Sequence, residues 1–379
     1  ALAAREVGAK RLFVPADNAA EAAFADGLEV YPVTDVRTLV GHLAGRTRIE
    51  PAAPRSIAAD GGLLPDFAEV KGQENVKRAL EVAAAGGHNM LMVGPPGAGK
   101  SMLAKRLPGI LPAMTRAEAL QTTAIWSVSG LTDPKHPVVS NRPFRAPNQT
   151  ASRQALAGAS DLKPGEMSLA HNGVLFLDEL PEFHRDVIDL LRQPLEEGSV
   201  TISRAAGSMT YPSRFMLICA MNPCRCGWYG HPSGRCRCTP RSIHDYQAKI
   251  SGPLLDRIDI MTEVPALEFK ELEKRPDGEP SAAIKARVEA ARSVQRARFA
   301  DMDIDANARM GPNAMERFCS LDAEGAALMK AAFDTLGLTA RSYDRILRVA
   351  RTIADLDGSE QIRQQHLAEA IQYRTFSFQ

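Results

Sequence analysis

The run Gly94-Pro-Pro-Gly-Ala-Gly-Lys-Ser101 constrains this 379-residue chain more than any other feature. It follows an apolar stretch, Asn89–Val93, that reads as a buried strand, and it opens Lys100–Leu107, which reads as a helix. Glycines at such a strand-to-helix turn let backbone N–H groups converge on phosphate oxygens at a helix N-terminus. In that context the motif is a P-loop, which binds a nucleoside triphosphate. The expected ATP contacts are Gly94, Pro95, Pro96, Gly97, Ala98, Gly99, Lys100, Ser101 and Met102. Lys100 is expected on the β- and γ-phosphates, and the Ser101 hydroxyl on Mg2+.

A second motif supports the first. Val174-Leu-Phe-Leu177 reads as a strand of four apolar residues ending in Asp178-Glu179. Open α/β sheets place ligand groups at the carboxyl ends of their strands. Asp178 is expected to join Ser101 around Mg2+, and Glu179 to orient the attacking water. A third apolar strand, Phe215–Met221, ends in Asn222, an amide suited to sensing the γ-phosphate or aligning the water. The plainer reading of Asn222 is an asparagine that starts a turn before Pro223.

Apolar strands alternating with helices, here Gln73–Ala85, Lys100–Leu107 and Asp186–Glu197, predict a parallel sheet covered on both faces. From residue 266 the pattern turns helical, with helices predicted at Ala282–Arg298, Pro312–Phe318, Ala323–Leu336, Ala340–Leu356 and Gln364–Tyr373. In the fourth, Tyr343, Ile346, Leu347, Ala350, Ile353 and Ala354 form an apolar stripe. The fold class is therefore α/β, a P-loop core plus a C-terminal helical lid. Expected boundaries are 1–56, 57–265 and 266–379. Residues 1–56 read as a small α/β piece with a docking or scaffold role: strands at Arg11–Val14 and Leu28–Val33, helices at Asn18–Ala25 and Thr34–Leu43, the last capped by Thr34 or Asp35. Residues 44–65 read as a linker. The chain begins at Ala1, in what reads as mid-helix, and is expected to be a fragment of a longer protein.

The formal net charge of +1 provides no global basic field, so any nucleic-acid contact must come from a local patch or a ring lumen. No apolar run approaches the ~18 residues needed to span a bilayer, and no membrane partner is expected. Four of the six cysteines form Cys224-x-Cys226-(x9)-Cys236-x-Cys238. This suits a metal site in a reducing compartment, the cytoplasm, better than a disulfide framework. Four thiolates suit tetrahedral Zn2+, although the single-residue gaps are shorter than usual, and redox disulfides or unligated thiols remain alternatives. His231 and His244 are possible substitute ligands. Cys219 and Cys319 read as packing residues. Arg225, Arg235, Arg237 and Arg241 make the cysteine knob basic and a candidate for DNA contact. Ser199–Ser213 reads as a β-hairpin with Arg204-Ala-Ala-Gly207 at its tip, either a surface hairpin or a second DNA contact through Arg204.

Two arginines complete the candidates. Arg257, in Ser251-Gly-Pro-Leu-Leu-Asp-Arg-Ile-Asp259, follows a short apolar helix. Its spacing alone reads as a surface salt bridge with Asp256 or Asp259. Arg341 starts the helix Ala340–Leu356 and is placed to report nucleotide state, with Arg345 and Arg348 on or beside the same face.

These motifs resemble the magnesium-chelatase-like branch of the AAA+ superfamily, and within it the ComM (YifB) family. The resemblance covers nearly the whole chain, most specifically Gly94–Ser101, Arg142–Pro147, Ser168–Pro181, Ala220–Cys224 and Ser251–Asp259. It implies a homo-hexameric ring with Asn222 as sensor 1, Arg257 as a finger acting on the neighbouring subunit, and Arg341 as sensor 2. It also implies an insertion near residues 153–169 and a lumen-facing hairpin. The implied activity is ATP-driven helicase work or branch migration on single-stranded or branched DNA during natural transformation. A chelatase-like remodeller of a protein partner is the alternative, and a regulatory module on a Lon-like protease a third. Residues 1–56 look like the end of a Lon-protease-like domain, with Pro15-Ala-Asp-Asn18 as the matching patch, and no protease residue carries over. Asn148-Gln149 departs from the two histidines usual in relatives, which puts a metal or proton role for that loop in doubt.

Overall fold

Strands that are apolar on both faces must be covered on both faces, and the central sheet follows that rule. The computed structural model describes residues 1–53, 64–133, 136–159, 161–204, 207–266 and 278–374. Much of the predicted 44–65 linker, the centre of the hairpin tip at 205–206 and the start of the predicted lid at 267–277 lie outside the described residues. The chain divides into two units, one comprising 1–62 and 114–141, the other 63–113 and 142–379.

In the first unit, β1 (Arg11–Pro15) pairs in parallel with β2 (Glu29–Val33). The connecting helix Ala16–Ala22 buries Ala19 and Ala22 against Val30. Asp35, rather than Thr34, caps the helix Val36–Leu43, its carboxylate accepting from the Thr38 N–H at 2.7 Å. A further helix, Arg116–Val128, was not foreseen. Its buried face carries Thr122 and Thr123, whose hydroxyls donate back to Glu118 O and Ala119 O at 2.8 and 2.7 Å. Those threonines break the apolar period. The legible signal was the capping box of Thr115 and Glu118.

In the second unit, five parallel strands form one sheet: β3 (Met90–Val93), β4 (Phe144–Arg145), β5 (Val174–Leu177), β8 (Met216–Met221) and β9 (Ile260–Glu263). Their spatial order is β4-β5-β8-β3-β9. The antiparallel hairpin of β6 (Ser199–Arg204) and β7 (Gly207–Pro212) stands apart from that sheet. Successive strand residues face alternate sides. Met90, Met92, Phe176, Ile218 and Ile260 join one core, and Leu91, Val93, Leu177, Cys219 and Met261 the other. The first core continues into the C-terminal helices through Ile284, Val288, Ile346, Ala350 and Ile353. These helices, Ser281–Arg298, Pro312–Phe318, Ala323–Leu336, Ala340–Leu356 and Gln364–Gln372, lie where the pattern predicted them to within a residue. Tyr343, at the head of the predicted stripe, is exposed. The predicted helix Asp186–Glu197 is instead two short ones, Arg185–Leu190 and Arg192–Glu197. Pro194 explains the break, because it lacks the N–H that would bond to Leu190 O and its ring crowds that carbonyl. Among the described residues no helix is long and apolar enough to cross a membrane.

A polar knot ties the C-terminal helices together. The buried Asp355 carboxylate accepts from Arg298 Nη2 and Nη1 at 2.5 and 2.8 Å, from Asn307 Nδ2 at 2.8 Å and from Arg351 Nε at 3.1 Å. Asp355→Ala would leave two largely buried guanidiniums without their carboxylate. A loss of about 3–5 kcal/mol is expected from the urea midpoint, against under about 1 kcal/mol for removing the exposed pair partner Glu50.

Candidate functional site

The phosphate loop leaves the sheet at the carboxyl end of β3. Gly94 N–H donates to Met221 O at 3.2 Å, and a side chain on Gly94 would collide with the Val264 carbonyl. Gly97 and Gly99 adopt left-handed φ of 77° and 90°, which glycine takes without steric cost. The helix Lys100–Arg106 starts at that point, so its first N–H groups have no preceding helical carbonyl to bond. The Lys100 ammonium is buried and folds back on the loop, donating to Gly94 O at 2.6 Å, Pro95 O at 2.9 Å and Asn222 Oδ1 at 3.1 Å. Burial lowers its pKa, and the charges of Asp178 and Glu179 oppose that shift.

Ser101 Oγ donates to Asp178 Oδ2 at 2.5 Å, and the other Asp178 oxygen accepts from the Glu179 N–H at 2.9 Å. Glu179 itself is exposed and sits at a left-handed φ of 52°. Such a conformation in a non-glycine residue costs of order 1 kcal/mol and tends to persist where function needs it. The predicted groups Lys100, Ser101, Asp178, Glu179 and Asn222 thus come together from three strand ends. Glycine N–H groups and an ammonium match a phosphate chain. A hydroxyl and a carboxylate oxygen 2.5 Å apart supply the hard donors Mg2+ prefers, so the residues present fit both ATP and its metal.

Arg257 and Arg341 lie elsewhere. Asp259 N–H and Ile260 N–H both donate to Asn89 O, so the segment before β9 lies level with the residue before β3. In register, Met90 faces Ile260 and Val93 faces Glu263. Arg257 therefore sits at the amino edge of the sheet, a strand length of ~13 Å (four residues at ~3.3 Å) from the edge carrying the phosphate loop. Its buried guanidinium donates to the Glu196 carboxylate and to Pro253 O. The aspartates that spacing offered as its partners are engaged by others: Asp256 pairs with Arg341 at 3.5 Å and Asp259 with Arg345 at 2.5 Å. Glu196 was not legible as a partner because it lies on a different helix, Arg192–Glu197. Arg257, Arg341, Arg345 and Arg348 line one cavity of about 140 Å3 with Glu196, Asp256 and Asp344. No phosphate-loop residue lines that cavity.

The hairpin pairs from Ser199↔Pro212 to Arg204↔Gly207, with Arg204 exposed. Val200, Ile202 and Tyr211 anchor its base, and Tyr211 OH donates to Leu162 O at 2.9 Å. The anticipated insertion holds two short helices, Arg153–Ala157 and Glu166–Leu169, whose Leu156 and Met167 join the same core. The Arg142–Pro147 motif has a structural task. Arg142 bridges Pro112 O and Asn172 O at 2.6 and 2.7 Å, and Arg145 forks onto Glu166 with two bonds of 2.6 Å. Asn148 and Gln149 are exposed.

The ligand atoms of Cys224, Cys226, Cys236 and Cys238 all lie within 4.8 Å of one another, and none of the four is in a disulfide. His231 bonds Ser233 and packs on Trp228, so the cluster is complete without it, and His244 is exposed. Arg225, Arg235 and Arg237 are exposed, Arg235 lying over the Trp228 ring at 5.0 Å. Cys219 and Cys319 are buried in the cores as expected.

The family model described as magnesium chelatase, subunit ChlI, matches residues 66–272, and the model of that subunit's C-terminal part matches 278–374. The competence protein ComM of Haemophilus influenzae is 42% identical over 99% of this chain and 73% of its own length. The uncharacterized protein YifB of Escherichia coli is 42% identical over 96% of this chain and 71% of its own. The magnesium-chelatase 38 kDa subunit of Rhodobacter capsulatus is 25% identical over 84% of this chain and 88% of its own.

Asp259 makes the amino edge pH-dependent. Burial alone would raise its carboxyl pKa, but His88 and Arg345 beside it hold it well below the usual range, with Arg348 and Arg374 nearby. A depressed carboxyl adds stability that is complete above its unfolded value near ~3.9 and fades as pH falls toward the folded value. Asp259→Asn should therefore destabilise at pH 7, with the gap to wild type closing below about pH 4 in denaturant titrations. A constant gap across that range would assign the loss to packing.

Proposed function

Because this chain belongs to the magnesium chelatase subunit ChlI family, we propose that it is an ATP-hydrolysing AAA+ motor working as a homo-hexameric ring in the cytoplasm. One observation carries the reading: Lys100, Ser101, Asp178 and Asn222 hydrogen-bond to one another in pairs at the carboxyl edge of the parallel sheet. Binding ATP draws Lys100 from the loop carbonyls onto the terminal phosphates. Ser101 Oγ and Asp178 would hold Mg2+, which would supply charge neutralisation for the phosphates. Glu179 orients the attacking water, and Asn222 detects the last phosphate through its amide. Arg257 cannot reach this site in its own chain, so a neighbouring subunit supplies it; that neighbour's Arg341, on the same edge as its Arg257, reaches the same nucleotide.

The motor's track is single-stranded or branched DNA, and its work is helicase or branch-migration chemistry in natural transformation. The exposed arginines Arg204, Arg225, Arg235 and Arg237 support this, as does the ComM relative's designation as a competence protein. Zn2+ at the four cysteines is the second metal. Residues 1–56 are the end of a Lon-protease-like domain, 57–265 the ATPase core and 266–379 the lid. A second reading, a remodeller of a protein partner without DNA, draws on the chelatase relative and the near-zero net charge.

Steady-state ATPase assays with and without forked or single-stranded DNA separate the two. Stimulation, with binding that weakens steeply as salt rises, is expected for the DNA motor. No stimulation and no salt-sensitive binding would favour the remodeller. Glu179→Gln should keep ATP affinity while slowing turnover by about 100-fold or more. A variant that loses binding and turnover together would remove Glu179 from its water-orienting role.

A further inference from the structure

The cysteine knob rests on the phosphate loop. Gly227 is buried at a left-handed φ of 83°, and a Cβ there would meet Pro96 Cδ and Cγ at 2.5 and 2.6 Å and Asn222 Cγ at 3.7 Å. Its N–H closes a turn on Cys224 O at 2.9 Å. Pro223 O, between Asn222 and the turn, accepts from Gln247 Nε2 at 2.9 Å. The turn Cys224–Gly227 is thus seated against a phosphate-loop proline on one side and the sensor amide on the other, and it carries two of the four thiols.

Thiol spacing fits one ion. Zinc–sulfur bonds of ~2.3 Å in a tetrahedron put the sulfurs ~3.8 Å apart. The Sγ separations are 3.8 Å for Cys224–Cys236, 3.7 Å for Cys226–Cys236 and 3.3 Å for Cys224–Cys226. All exceed a disulfide bond of ~2.05 Å. Four sulfurs select a borderline-soft ion over Mg2+ or Ca2+. Residues 227–238 contain no helix or strand, and the backbone bonds within them are turn closures such as His231 N–H to Trp228 O at 3.2 Å. A bound ion is the element that would tie Cys236 and Cys238 back onto the turn.

We infer that the four thiolates bind one Zn2+ and that this ion, acting through Gly227, holds Pro96 and Asn222 in position, so that zinc occupancy governs ATP turnover. The inference rests on the ATPase reading above. Zinc is a positioning element here and does not touch the nucleotide. Losing it frees the turn, and the loop and the sensor amide lose their shared support.

The test uses the purified full chain. Elemental analysis should find about one zinc per chain, lost in Cys236→Ser and Cys238→Ser. Stripping zinc with a strong chelator should lower ATP turnover at least tenfold, and returning Zn2+ should restore it. Hydrogen exchange over residues 94–101 should rise on stripping. Gly227→Ala should retain its zinc yet lower turnover, because its added carbon displaces Pro96; an unchanged melting temperature separates this from unfolding. Absence of zinc overturns the metal assignment. Zinc removal that changes neither turnover nor exchange at 94–101 overturns the coupling. A zinc-loaded wild-type chain that hydrolyses no ATP sinks the ATPase reading instead, and the exchange measurement still decides the coupling.

Discussion

Three adjacent parallel strands whose carboxyl ends fall within two residues of one another are the constraint from which the chemistry follows. Val93 pairs with Met221, and Leu177 with Cys219. Because β3, β5 and β8 are apolar throughout, polar groups can appear only beyond their ends. The residues that follow, Gly94, Asp178 and Asn222, therefore share one edge. A one-residue slip in any of these strands would turn its side chains to the opposite core and carry its terminal polar group out of reach.

The same parallel register has a second consequence. Whatever precedes β9 must lie at the far edge from whatever follows β3. Arg257, Arg341, Arg345 and Arg348 gather there around one cavity, with Glu196 and Asp256 partly neutralising them. In the proposed ring, the cation-rich edge of one copy would meet the phosphate-loop edge of the next. Closed cyclic assembly would let every copy use both edges, which supports the ring reading proposed above. Under that proposal the Arg257–Glu196 ion pair would have to open before the arginine could serve a neighbour.

Much of the fold was legible in the sequence. Unbroken apolar runs announced the buried strands, the glycines announced the phosphate turn, and the 3.6-residue period located the C-terminal helices. What escaped did so for identifiable reasons. The helix Arg116–Val128 buries threonines that satisfy themselves on its own backbone, so its period is masked. The break before Pro194 needed weight on the missing N–H rather than on the surrounding apolar residues. Partners separated widely in sequence, Glu196 for Arg257 and Pro96 for Gly227, leave no local trace. Gly227 in particular looks like one more turn glycine until its neighbour across space is known.

The most direct measurement mixes two defective chains. Lys100→Ala removes the phosphate contact and leaves the arginine edge intact; Arg257→Ala does the reverse. Each alone should be nearly inactive in ATP hydrolysis. Mixed, they should regain part of the wild-type rate, because an intact phosphate edge then faces an intact arginine. No recovery in mixed assemblies shown to contain both chains, or full activity of Arg257→Ala alone, would contradict shared sites between neighbours.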